Sequence, residues 1–470
     1  MIDLNKLKLY NTNSNKFEIA IIVVIYSVLN IINYIYYLVP VWEKQGFPEF
    51  DPQTGIIPLT LALFCCLTFG LVYPKKVQRY SQFVTWFIFF FVFMPSIIIV
   101  AMQGVPKDHG IALIICLSVS MFFIGYIPEL LQRNQVGVPH EKIIQTTQRF
   151  RQHHSGIKTR FEIVIIYIFF ALLVPLVLFY RNIITIVDLT DVYTQREIIE
   201  DMSPNKSLEA YALQWLLRVF APLMIAIGIM ANRKTMHILG IFGMVIGFFI
   251  SGSKFIVFSI PLMYALNQYV FKKPIVTGNN IGKAFLAIFA VTFAITLLYD
   301  KEEVKSFIGV ILSQILKRAF SINGMTLGNY YDFFINNNND FTFYSHLGPV
   351  SKIIDYPYGE FGIGQIVGHY QVGVYTYDMS AGFWSTDGIA AAGLPGIVLI
   401  GIILGLILLT FDAVSRKMEL KLLCLASVGN IWMLADTSVF RVLLSGGWPL
   451  HFVMISLYWR SLRNAEKNKN

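Results

Sequence analysis

The sequence predicts an all-α polytopic membrane protein with about 12 transmembrane helices and both termini cytoplasmic, and three observations carry that expectation. The first is composition: 56% of residues are hydrophobic, 15% aromatic and only 14% charged, and the mean hydropathy is +0.60. The second is run length. Apolar segments of the roughly 20 residues that a helix needs to cross a bilayer fall near Phe17 to Val39, Ile56 to Tyr73, Phe83 to Ala101, Gly110 to Leu131, Phe161 to Tyr180 and Ala210 to Ala231. Met236 to Phe271 is too long for one helix and is broken at Ser251-Gly252-Ser253-Lys254, so it predicts two short spans with a polar hairpin between them. Ile281 to Tyr299, Ile389 to Phe411, Leu420 to Phe440 and Leu444 to Trp459 complete the set. The third is charge: 24 of the 37 Lys and Arg residues fall on the predicted inner side and 12 on the outer, with Arg218 inside a span.

This division organises the chain into residues 1–299, transmembrane helices 1 to 9 with short loops; 300–388, one long periplasmic loop with interfacial helices; and 389–470, helices 10 to 12 with a basic cytoplasmic tail. The net charge of +9 does not indicate nucleic acid, because the cations sit in short clusters between apolar runs. Cys65, Cys66, Cys116 and Cys424 lie in apolar segments without ligand spacing, so neither a disulfide framework nor a zinc site is expected. Lys6, Lys8 and Lys16 precede an apolar run with no small-residue cleavage site, which reads as an uncleaved first span.

The polar run Asp300 to Thr386 is where chemistry is expected. Val304, Phe307, Ile308, Ile311, Leu312, Ile315, Leu316 and Ala319 make one apolar helical stripe, with Lys317 opposite it and Arg318 at its edge, as suits a helix lying on a membrane surface. The aromatic and amide-rich Gly328 to His346 and the Gly/Tyr-rich Tyr356 to Gly388 suit sugar better than lipid, since ring faces stack on pyranoses and Asn, Asp and Tyr give directional hydrogen bonds.

Lys254, at the hairpin, reads either as a lysine reaching the outer headgroups or as one meeting a lipid-linked diphosphate. Arg196 lies among Asp188, Asp191, Glu197, Glu200 and Asp201, where a solvated ion-pair face competes with a ligand role. Arg318 is placed for a phosphate at the membrane surface. His346 and His369 are the two histidines of the long loop and candidates for a proton acceptor, against structural roles for each. Asp332, Asp340, Asp355, Glu360, Asp378 and Asp387 offer further bases but no Asp-x-Asp or EF-hand spacing, so no metal site is expected. Arg218 and Arg441, inside or at the outer ends of spans, carry the functional or paired role expected of an intramembrane charge. No phosphate-binding glycine loop, nucleophile elbow or His-Glu-x-x-His is present, so an enzyme here acts on an already activated, membrane-held donor.

From about Asp191 onward the chain resembles the Wzy-type O-antigen and oligosaccharide repeat-unit polymerases. The resemblance rests on Val192-Tyr193-Thr194-Gln195-Arg196, Ser251-Gly252-Ser253-Lys254, Arg318 followed by Tyr330-Tyr331-Asp332-Phe333-Phe334, and Tyr344-Ser345-His346. Further on it includes Gly382-Phe383-Trp384-Ser385-Thr386-Asp387-Gly388, Gly393-Leu394-Pro395-Gly396 and Ser445-Gly446-Gly447. It implies a glycosyltransferase of GT-C-like architecture in the bacterial inner membrane, its active site facing the periplasm, working without metal or other cofactor. Its substrate would be undecaprenyl-diphosphate-linked oligosaccharide, its setting membrane lipid, and a chain-length regulator protein a partner. On that resemblance Arg196, Lys254 and Arg318 bind the diphosphate and Tyr330, Tyr331 and Tyr344 the glycan; the base is not fixed by the resemblance, and among the loop residues His346 is the first choice, with Asp378 or His369 next. The rival readings are a flippase for lipid-linked oligosaccharide and a membrane-bound O-acyltransferase, the latter resting on His237 alone.

Reporter fusions test the charge argument. Fusions at Gln148, Lys272 and Lys417 are expected to report cytoplasm and those at Asp201, Asn338 and Gly359 periplasm; a cytoplasmic signal at Asn338 contradicts the topology.

Overall fold

The structure is a computed structural model, and it describes residues 4–42, 47–103, 107–131, 159–181, 206–251, 254–273, 275–298, 320–416 and 418–467. Its helices, numbered in chain order, are α1 (Lys16–Leu38), α2 (Pro52–Val72), α3 (Tyr80–Met102), α4 (Gly110–Leu131), α5 (Arg160–Tyr180), α6 (Glu209–Ala231), α7 (Lys234–Ser251), α8 (Lys254–Ala265), α9 (Gly278–Leu298), α10 (Ile322–Tyr331), α11 (Ile363–Val372), α12 (Trp384–Ser415), α13 (Leu420–Met433), α14 (Val439–Leu443) and α15 (Trp448–Lys467). Among the described residues nine helices are long and apolar enough to cross a membrane: α1 to α7, α12, and Val439–Ala465, which joins α14 and α15. The chain is therefore a multi-pass helical membrane protein. The spans differ from the expected set most at Leu420 to Phe440, where α13 is only 14 residues long and stops at Met433. The side chain of Ser438 then starts α14, accepting from the amides of Phe440 and Arg441 at 3.2 and 3.5 Å.

α3 is the axis of the bundle, and its whole length is buried. Its sequence, apolar on every side, fits that position. At its first turn the buried carboxylate of Asp412, from α12, accepts from Ser81 N at 2.8 Å and Ser81 Oγ at 2.5 Å, pairing an amide that a helix start leaves open. Beside it Glu129 at the end of α4 takes Arg79 at 2.5 Å and Gln82 at 2.8 Å. Halfway along, Phe89–Phe93 form a π turn two residues before Pro95, and the Tyr26 hydroxyl of α1 donates to the Phe90 carbonyl there at 2.8 Å. In lipid such help is needed, because no water is at hand for a carbonyl whose ladder is disturbed. α12 lies along α4, where Gly401 abuts Ser120 and Gly405 abuts Phe123 and Ile127, so a side chain at either glycine would force the helices apart.

Two connectors meet at the Tyr80 end of α3. Val77 N donates to Val276 O at 3.0 Å and Gly278 N to Lys75 O at 2.7 Å, which brings the basic Lys75–Lys76 and Lys272–Lys273 segments to one end of the bundle. Asp412 marks the same end of α12, so the Trp384 end of that helix lies opposite. At that opposite end the long loop is not simply a surface layer: every residue of α10 from Asn323 to Tyr331 is buried, and α10 packs on the second half of α3. The amphipathic stretch ending at Ala319, with Lys317 and Arg318, lies outside the described residues.

Candidate functional site

α12 begins five residues earlier than hydropathy places it, and its first turns are irregular. Trp384–Ile389 wind as a π turn, and the helix then breaks at Ala392 (φ −157°, ψ 27°) and Gly393 (φ 65°, ψ −146°). The positive φ at Gly393 is one that side-chain-bearing residues rarely adopt, and a Cβ there would press on the Phe341 ring. Pro395 follows. A regular helix would pair the Ala391 carbonyl with the amide of residue 395, but proline has none, and the non-helical Ala392 and Gly393 fall between the Ala390 carbonyl and the amide of Leu394 that a regular helix would bring to it. Both carbonyls are satisfied from the long loop: Thr342 N donates to Ala390 O at 2.8 Å, and Phe343 N to Ala391 O at 3.0 Å.

Docking on those carbonyls bends the loop sharply. Phe343 (φ 44°) and Tyr344 (φ 65°) are consecutive left-handed residues without being glycine, each costing about 1–2 kcal/mol. Such strain persists only where the surroundings enforce it, and it collects at functional sites. Here it delivers His346 onto the π turn of α12. His346 Nε2 stands 3.4 Å from Asp387 Oδ1, and its Nδ1 stands 2.9 Å from Thr342 Oγ1. Asp387 is wholly buried and the His346 side chain is 10% exposed. The second carboxylate oxygen accepts from Val439 N at 2.6 Å, so one side chain ties α12, the long loop and α14 together.

Proton bookkeeping in this cluster is limited. The Thr342 hydroxyl has one hydrogen and two acceptors in reach, His346 Nδ1 and the Ala390 carbonyl at 3.1 Å. When it donates to Nδ1, the imidazole is neutral, Nε2–H donates to Asp387 and Nδ1 is the basic nitrogen. When it turns to Ala390, Nδ1–H donates to Thr342 Oγ1 and the ring is an imidazolium held by the carboxylate. The two arrangements differ by one proton at Nδ1 and a rotation of the Thr342 hydroxyl.

Tyr344 is the one expected glycan-contacting tyrosine beside this cluster, its ring 6.1 Å from that of His346 and edge-on to Phe440 at 5.9 Å. Burial, with the Asp387 carboxylate adding to it, pushes its phenol up to about 12. Tyr330 and Tyr331 lie within the bundle, fully buried, with the Tyr330 hydroxyl donating to Met379 O at 3.2 Å, so neither ring offers a free face. Asp378 is exposed and accepts from Ser380 Oγ at 3.0 Å. His369 stacks on Tyr375 at 3.8 Å near the end of α11. Among the described contacts neither reaches His346.

Of the expected cations, Arg196 and Arg318 lie outside the described residues, and Lys254 opens α8. The structure instead brings the two arginines of the spans near one carboxylate: Arg218 of α6 has Asp436 and the Arg441 guanidinium as its electrostatic neighbours. Arg441 is exposed and stands two residues from Val439, the anchor of Asp387. Among the described residues no three His, Cys, Asp or Glu side chains converge as metal ligands. No protein-family model, curated protein or solved structure matches this chain.

The two roles of Asp387 separate by substitution. Asp387→Asn keeps an oxygen for Val439 N and is expected to melt near the parent, whereas Asp387→Ala leaves that amide unpaired and is expected to lose about 1–3 kcal/mol. Thermal unfolding of the purified variants checks this; equal melting of both would show that Asp387 does not tie α14.

Proposed function

We propose that this protein is a glycosyltransferase that polymerises undecaprenyl-diphosphate-linked oligosaccharide repeat units at the periplasmic face of the bacterial inner membrane. The observation that supports it is the buried His346–Asp387 pair, held by a strained loop at the end of the bundle away from the basic connectors and close to Arg441. The positive-inside rule favours a cytoplasmic Lys75 and Lys272 end, which supports a periplasmic position for the pair. A GT-C-like architecture fits a multi-pass bundle whose chemistry sits on an outer loop.

In this reading the hydroxyl of the incoming repeat unit gives its proton to the Thr342 hydroxyl as that group passes its own to His346 Nδ1, while its oxygen bonds to the anomeric carbon of the growing chain. The bond from that carbon to the diphosphate oxygen breaks, and the diphosphate departs as an anion. Asp387 fixes the Nε2–H tautomer of the neutral ring and stabilises the imidazolium that forms from it. Arg218 and Arg441, with Arg196, Lys254 and Arg318 from the sequence expectation, are the cations available to the leaving group, the part a metal plays in other transferases. Tyr344 is the aromatic side chain placed to meet sugar beside the base. A flippase would need the spans and the cations but has no use for an oriented imidazole.

In cells, His346→Ala and Asp387→Asn are expected to leave the protein inserted at normal abundance but replace the glycolipid ladder with single-repeat glycolipid. In vitro they should slow extension by about 10²–10⁴-fold, and extension by the parent should continue in excess EDTA. A ladder of normal length from His346→Ala contradicts the assignment of the base, and loss of all exported repeat units on deletion would indicate a flippase.

A further inference from the structure

A second polar feature lies behind the π turn of α12, and nothing in the reading above uses it. Ser96 of α3, Asn323 of α10 and Ser385 of α12 line one small cavity between the helices, whose remaining wall includes Val92, Leu327 and Trp384. The three polar side chains are 0%, 3% and 1% exposed. Ser96 Oγ, both side-chain polar atoms of Asn323 and Ser385 Oγ have no hydrogen-bond partner among the described residues. Four buried polar atoms left unpaired in a membrane bundle would cost several kcal/mol together, and such groups in folded proteins are met by protein or by ordered water.

We propose that this cavity is a binding site for a single ordered water molecule that bridges Ser96, Asn323 and Ser385. The space open to the centre of a water-sized molecule is about 10 Å³, which admits roughly one water and excludes a sugar ring. Water also fits the chemistry. It brings two hydrogens and two lone pairs to a set of two hydroxyls and one amide, whereas a cation would use only the oxygens and leave the Asn323 NH₂ unmet. Among the described residues no charged side chain lines the space to neutralise an ion. Ser385 stands two residues before Asp387 on the same π turn, so the water would fasten that turn to α3 and α10 from behind while Asp387 holds His346 in front.

The sign of two substitutions separates a wet cavity from a dry one, because removing a partner from a satisfied cluster costs stability, while removing an orphan relieves it. With the full chain in lipid nanodiscs, Asn323→Leu and Ser385→Ala are each expected to lower the melting temperature by a few degrees. A cryo-EM map at a resolution that shows ordered water is expected to have one density peak within hydrogen-bonding distance of all three side chains. An empty cavity in that map, or melting of either variant at or above the parent, overturns the proposal. None of these outcomes depends on the glycosyltransferase reading.

Discussion

The site depends on two carbonyls that α12 cannot satisfy by itself. Gly393 turns the backbone out of the helix and Pro395 withholds an amide, so the oxygens of Ala390 and Ala391 face a bundle interior where no bulk water is at hand. A polytopic protein resolves such a break by bringing another segment to it. Here that segment is Thr342–Phe343, and the unfavourable φ at Phe343 and Tyr344 follows from docking two successive amides on those carbonyls. His346 is then within reach of Asp387 because each follows or precedes the paired backbone groups closely in sequence, His346 after Thr342 and Phe343 and Asp387 before Ala390 and Ala391. The strain is local, and the two backbone hydrogen bonds together with the Asp387 contacts offset it.

The same logic runs through the rest of the bundle. Polar side chains sit where helices start, bend or stop: Asp412 on the first turn of α3, Tyr26 on the π turn of α3, Ser438 at the start of α14, Asp387 on the first amide of α14. Each supplies a partner that lipid cannot. Asp387 does this and also faces an imidazole, which is why its neutral and truncated variants are expected to behave differently.

Much of this was legible in the sequence, and what was not has identifiable causes. Hydropathy located the nine helices long and apolar enough to cross a membrane among the described residues, because lipid demands long apolar runs, and the split of Met236 to Phe271 stands as α7 and α8, whereas the span expected at Leu420 to Phe440 stops at Met433. His346 stood out as one of two histidines in the long loop. Asp387 did not, being one of six loop carboxylates, and its partner is 41 residues away in sequence. A signal was present all the same: Asp387 opens an apolar run and precedes Gly393-Leu394-Pro395, which reads as a charge at a broken span. The burial of Tyr330 and Tyr331 was not legible, because an aromatic residue in a polar loop looks the same whether it meets a sugar or packs under α3. The grouping of Arg218, Asp436 and Arg441 draws on two distant stretches of the chain, α6 and the α13–α14 turn with α14, and no periodicity reports it.

Hydrogen exchange over residues 341–347 tests the central claim, that the broken helix and Asp387 together hold the loop in its strained form. In the parent protein the amides of Thr342 and Phe343 are expected to exchange far more slowly than those of a solvated loop, and Pro395→Ala, which restores an amide for the Ala391 carbonyl, is expected to speed exchange at Phe343. Rapid exchange of both amides in the parent, or no change at Phe343 in the variant, would contradict it.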